Sequence, residues 1–424
     1  MGRITCLWQS PPAERAALHS FCRRDSKGMA SLSVFRVPEL VIQVCQYQQG
    51  KYPHLAPLLS CCIDYRTFKV DDWYYVKHMG PEPLRRFDQV FQAGFAIYGY
   101  AGLRHLLNQE GRPMHIILSA YAAFVGNMDL INYLANHRAL ESTRFVVDTA
   151  ALQGHLNVIR FLHARKTSGF SSRTMDAAAH GGHLDVIRFL HAERPQDGAT
   201  RNAMTWAARR GHLDVVAFLH ANRSEACSVG ALDWAATFGH IQVVKFLHEN
   251  RSEGGTTEAI DGAAANGHLD VVRFLWEDRN VEGCTAQAMD GAAGNGHLAV
   301  VEYLTARGAP CTVAAMDNAA TYGHLQVVKF LHLNRREGCT TRAMDGAARR
   351  GHLDVVRFLH DHRQEGATEA AMTLAARSGH LDIVRFLHEH RQEGWSMEAL
   401  VDRDQVENPH REVVAYLRSI IAAQ

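Results

Sequence analysis

The sequence predicts an all-α fold, a solenoid of stacked helix-turn-helix units with little or no β-hairpin, plus a helical N-terminal cap. Three observations carry this expectation. The string Gly-His-Leu-Asp-Val-Val-Arg-Phe-Leu, or a close relative, recurs along most of the 424 residues. Each copy contains two stretches whose apolar residues fall at helical spacing. The segment joining one copy to the next is too short to project a hairpin.

The recurrence fixes the period. The histidine of the string stands at His155, His183, His212, His240, His268, His297, His324, His352 and His380, with spacings of 28, 29, 28, 28, 29, 27, 28 and 28. Gly126-Asn127-Met128-Asp129 continues the pattern backward, and Gly99-Tyr100-Ala101 does so weakly. Pro409-His410-Arg411-Glu412 forms a polar last copy, as a terminal unit facing water requires. The expected division is an N-terminal region over residues 1–85 and an array over 86–424, its degenerate final unit at about 396–424.

Within a unit, Met344, Ala347 and Ala348 share one face of a first helix. Leu353, Val356, Phe358 and Leu359 give a second helix a broad apolar stripe. Gly351 between them suits a left-handed helix end. Neither helix buries its apolar face alone, so stability must come from stacking.

Composition narrows the function. Apolar residues make up 47% and charged residues 21%, which argues for a folded core. The 45 basic and 44 acidic side chains leave a formal charge of +1, so the balance points to neither nucleic acid nor a membrane surface. No apolar stretch approaches the roughly 20 residues that span a bilayer. The N-terminus lacks a secretory apolar core, and Cys6 stands where a myristoylation signal has Ser or Thr. The expected location is intracellular, in cytoplasm or nucleus, with the nine cysteines reduced.

The units resemble the ankyrin repeat, whose core ends in Ala-Ala-x-x-Gly-His-Leu-x-Val-Val-x-x-Leu, over roughly residues 90–420. Two departures stand out. The period is about 28 where the family's is about 33. The family's Thr-Pro-Leu-His opening is replaced by forms such as Arg342-Ala343-Met344-Asp345, so its capping roles are not carried over. The resemblance implies a protein-binding scaffold, not an enzyme, with no cofactor.

Of 26 histidines, sixteen occupy two repeat slots. Nine sit in the Gly-His-Leu turn, where Asn127 replaces one, so the ring is expected to cap the second helix. Seven, from His163 to His388, end the second helix, where an imidazole is expected to meet free carbonyls. Adjacent units about 8–10 Å apart cannot share zinc, whose bonds are about 2 Å, so no metal is expected. Cys227, Cys284, Cys311 and Cys339 share a slot with Ala199, Gly255 and Ala367, a position that wants a small side chain. Asp185, Asp270, Asp354 and Asp382 lie three residues before an arginine, suggesting i,i+3 pairs at a helix start. No phosphate loop, dinucleotide turn or nucleophile elbow is present.

The positions that vary between units indicate where a partner binds. Five residues before the turn glycine the chain carries, among others, Tyr121, Trp206, Trp234, Gly262, Gly291, Asn318, Gly346 and Leu374. The two residues before that glycine include Arg209-Arg210, Thr237-Phe238, Thr321-Tyr322 and Arg349-Arg350. The resemblance places these slots in the concave groove. Trp, Tyr and Arg dominate binding hot spots. Trp206, Arg209, Arg210, Trp234, Phe238, Tyr322, Arg349 and Arg350 are therefore the expected contact residues for a protein partner of unstated identity, bound by a monomer. The alternative is that the tryptophans fill space left by poor stacking.

Outside the repeat, Val37-Pro38-Glu39-Leu40 followed by Leu58-Leu59-Ser60-Cys61-Cys62 is faintly similar to an F-box. That likeness would make the chain a substrate-recruiting adaptor of a ubiquitin ligase. A plain helical cap over the first repeat is the competing expectation.

Overall fold

The computed structural model describes residues 82–110, 112–224, 228–278, 284–396 and 409–423. The F-box-like segment and nearly all of the expected cap lie outside these residues. Among the described residues there are helices and turns but no strand.

The chain divides into two compact units, residues 1–146 and 147–424. In the first, α1 (Glu82–Glu110) bends at Gly99, whose φ of 53° only glycine adopts readily. It is followed by α2 (Arg112–Val125) and α3 (Met128–Asn136). Phe87, Leu103, Leu118, Ile131 and Leu134 form the core here. Tyr121, at the slot read as groove-lining, is instead buried and donates its hydroxyl to Asp88 at 2.5 Å.

Beyond this, first helices are α4 (Arg144–Leu152), α6 (Ser172–Gly181), α8 (Arg201–Arg210), α10 (Gly230–Thr237), α12 (Thr257–Ala265), α14 (Ala286–Gly294), α16 (Val313–Thr321), α18 (Thr341–Arg350) and α20 (Glu369–Arg377). They alternate with second helices α5 (Leu156–Ala164), α7 (Leu184–Glu193), α9 (Leu213–Asn222), α11 (Ile241–Asn250), α13 (Leu269–Asp278), α15 (Leu298–Ala306), α17 (Leu325–Asn334), α19 (Leu353–His362) and α21 (Leu381–His390). A last helix, α22 (Pro409–Ala423), packs on α20 and α21. From α6 to α20 each first helix packs closely on the next, and the second helices touch more sparsely. The paired alanines, such as Ala207-Ala208 and Ala347-Ala348, are fully buried. Their small side chains let the first helices approach. Val-Val-Leu triplets of the second helices complete the core.

Polar groups join the units. Thr200, Thr256, Thr285, Thr312, Thr340 and Thr368 cap the first helices, each hydroxyl accepting from the amide two residues on. Such a cap contributes about 1 kcal/mol. The same threonines donate both amide and hydroxyl to an aspartate of the preceding unit, as Thr340 does to Asp317 at 2.7 Å each. Asp176, Asp233, Asp261, Asp290 and Asp345 repeat the arrangement. Where the aspartate becomes Thr205 or Thr373, the next unit's threonine becomes Ser228 or Ser396. A capping threonine thus exists, two positions before the segment Arg342-Ala343-Met344-Asp345.

The turn histidine occupies the cap position, but its ring makes no capping bond to its own helix. Asn127 does cap that way, accepting from the Leu130 amide at 2.9 Å. The rings from His183 onward reach back instead. His183 Nε2 meets the Leu152 carbonyl, and His240 Nε2 the Arg209 carbonyl, each at 3.0 Å. Each ring also covers the preceding unit's turn glycine: a β-carbon on Gly239 would lie 2.4 Å from His268 Nδ1. The glycine is required twice, by its φ of 76° and by this contact.

The histidines ending the second helices stand edge-on to an aromatic ring of the next unit, as His191 does to Phe218 and His360 to Phe386. Carbonyl capping falls two residues later, to Asn222, Asn250, Asn334, His362 and His390. The expected aspartate–arginine pairs do not form among the described residues. Asp185 and Asp354 accept from the next amide, and Arg188 and Arg357 lie over Phe218 and Phe386 of the following unit. Loops such as Arg335-Arg336-Glu337-Gly338 close on an internal Arg–Glu pair. Burial raises the thiols of Cys284 and Cys339 to about 11, which suits space-filling residues of low reactivity.

Candidate functional site

The first helices end at their turn glycines, and the side chains just before those glycines project from the stack. In α8 the right-handed helix leaves Trp206 and Arg209 one turn apart on one side, with Arg210 beside them. Trp234 of α10 and Phe238, which caps its C-terminus, stand at i,i+4 spacing, and their rings stack at 6.0 Å. Arg209 of the preceding unit lies over both, 4.8 Å from Trp234 and 5.1 Å from Phe238. Trp234 is 43% exposed and Phe238 44%. One contiguous aromatic and cationic patch results.

The structure adds His180 of α6, which the sequence reading passed over. Its ring meets Trp206 edge-on at 5.9 Å and accepts a hydrogen bond from Arg210 Nε at 3.2 Å. Burial, then the charges of Arg210 and Arg209, push its pKa down to about 4, so it is neutral at pH 7. The signal was available: His180 stands two residues before Gly182, as Arg209 stands before Gly211.

Tyr322 and Arg350 form a second patch, the guanidinium 4.5 Å above the ring, with Tyr322 49% exposed and Arg349 exposed alongside. The structure brings together the predicted residues of α8 and α10, and separately those of α16 and α18.

The slot five residues before the glycine packs on the slot two residues before it in the preceding unit. Trp206 meets His180, and Trp234 meets Arg209. A β-carbon on Gly262 would lie 2.2 Å from Thr237 Oγ1, one on Gly346 2.1 Å from Thr321 Oγ1, and one on Gly291 2.8 Å from Ala265 Cβ. Variation at this slot is therefore partly a matter of matched size between neighbours. The residue next to the glycine, Arg210, Phe238, Tyr322 or Arg350, is exposed in each case.

Among the described residues, no His, Cys, Asp and Glu side chains gather in a group that could hold a metal ion, and no helix is long and apolar enough to cross a membrane. A family model for ankyrin repeats (3 copies) matches residues 174–258, 232–315 and 316–397, together more than half of the chain. No match is found among curated proteins.

Proposed function

The chain belongs to the ankyrin-repeat family, a family of protein–protein interaction modules, and from that premise we propose that it is a non-catalytic scaffold holding a protein partner on the ends of its first helices. The observation that carries this reading is the Trp234–Phe238 stack under Arg209. The repeat's paired alanines and Val-Val-Leu triplets are buried between helices, whereas these two rings keep nearly half their surface in water. Rigid aromatic area beside a guanidinium is what protein interfaces bury at their centres. Trp206, Arg210 and His180 extend the surface on one side, and Tyr322, Arg349 and Arg350 form its second contact region.

The test compares the intact chain with a Trp234→Ala/Phe238→Ala variant in quantitative affinity capture. The expected variant keeps its helical circular dichroism and loses captured partner by about tenfold or more, as hot-spot truncation does. Loss of helicity would instead assign the two rings to packing.

A further inference from the structure

On the reading above the occupant is a protein, and we propose that it is an acidic one. Its carboxylates meet Arg209, Arg210, Arg349 and Arg350, and an apolar side chain sits on the Trp234–Phe238 stack.

The net charge of +1 hides an uneven distribution. At the two positions before the turn glycine, the nine units from Gly154 to Gly379 carry five arginines and no acidic residue. Loop arginines just past the second helices are neutralised nearby: Arg251 pairs with Glu253, Arg307 with Glu277 and Arg335 with Glu337. Among the described residues, none of Arg209, Arg210, Arg349 and Arg350 lies within 4.0 Å of a carboxylate. Arg209 and Arg350 lie over rings instead, and Arg210 donates to His180. A guanidinium lying over a ring keeps its N–H edge available in plane, already oriented for a carboxylate.

Helix termination does not account for these cations. Charge at a helix C-terminus contributes about 0.3–1 kcal/mol. Yet α10, α12, α14 and α16 end without a basic residue. Nor does the pattern suit a polyphosphate backbone. The cationic residues form two islands, separated by the uncharged Ala265-Asn266, Gly294-Asn295 and Thr321-Tyr322. The adjacent second helices begin with exposed Asp214, Asp270 and Asp354. Two separated islands fit a peptide with spaced acidic residues. From α8 to α18 is five helix-packing distances, about 40–50 Å. An extended segment of roughly 12–15 residues spans that length.

The test selects random peptides of about 16 residues, displayed on phage, against the intact chain, with counter-selection on Trp234→Ala/Phe238→Ala. Enriched peptides are expected to be net acidic. A synthetic copy should bind about tenfold more weakly to Arg209→Ala/Arg210→Ala and weaken steeply with salt. Arg209→Lys/Arg210→Lys, checked by circular dichroism, should recover part of the affinity. Enrichment of neutral or basic peptides that still require the two aromatic residues would overturn the acidic assignment and leave the protein-binding reading intact. Enrichment that ignores the aromatic residues would remove both. Tighter arginine-dependent binding of a thymidine oligonucleotide would assign the surface to nucleic acid instead.

Discussion

Thr340 belongs to two units at once: it caps α18 and gives both its polar hydrogens to Asp317 of α16. Asp317→Ala removes both acceptors and leaves a partly buried amide without its partner. The expected cost is about 1–3 kcal/mol in urea unfolding, with Asp317→Asn recovering part of it. An unchanged midpoint would mean that the bond contributes nothing net. The turn glycine offers a sharper test. Gly239→Ala should cost at least about 1–2 kcal/mol from backbone conformation alone, plus the collision with His268. In a double-mutant cycle, His268→Ala should relieve only the collision, giving a coupling of about 1 kcal/mol. Additive effects would show that the ring yields freely.

At the scale of elements, the apolar code was legible and the polar code was not. Ala347, Ala348, Leu353 and Val356 announce two helices because their spacing can satisfy only one pattern of burial. The period and the absence of hairpins among the described residues followed from the same count. What the spacing of one unit does not display is a bond to another. The aspartate before Gly262 looks like any surface carboxylate until Thr285, 24 residues later, is seen to donate to it twice. The candidate site was read with the same bias. Its exposed members were found from variation, whereas His180 and the size matching of Gly346 with Thr321 needed the neighbouring helix in place. α22 gives this scale its prediction. Val413 and Leu417 are fully buried, and Ile420 is 9% exposed. Deleting residues 409–424 should therefore cost several kcal/mol, at about 1.5–3 kcal/mol per buried side chain, with faster hydrogen exchange concentrated in α20 and α21. Exchange raised evenly throughout would argue that α22 does not act as a local cover.

Over the whole array, histidines make stability depend on pH. Burial is the leading cause that lowers the pKa of His180, His212, His268, His332 and His352 below the ordinary 6.5, for His180 to about 4. A depressed histidine stays neutral in the folded chain while its unfolded counterpart takes up a proton. Stability from these groups is therefore complete above about pH 6.5 and is lost as pH falls toward 4. Urea midpoints measured at pH 7, 6 and 5 should decline in order, and His180→Asn should shallow the decline. A midpoint flat across that window would contradict the assignment. Because each unit touches only its neighbours, unfolding should also be broad and begin at the ends rather than occur in one step.

The glycine-and-histidine contact has a hereditary consequence. Each unit ends its turn in a socket and presents a ring to the socket before it, so Gly211 receives His240 much as Gly323 receives His352. Duplication or loss of one whole unit joins a ring to a socket it already fits. The gene can lengthen or shorten by a repeat without inventing a new joint, while the residues beside each glycine remain open to change.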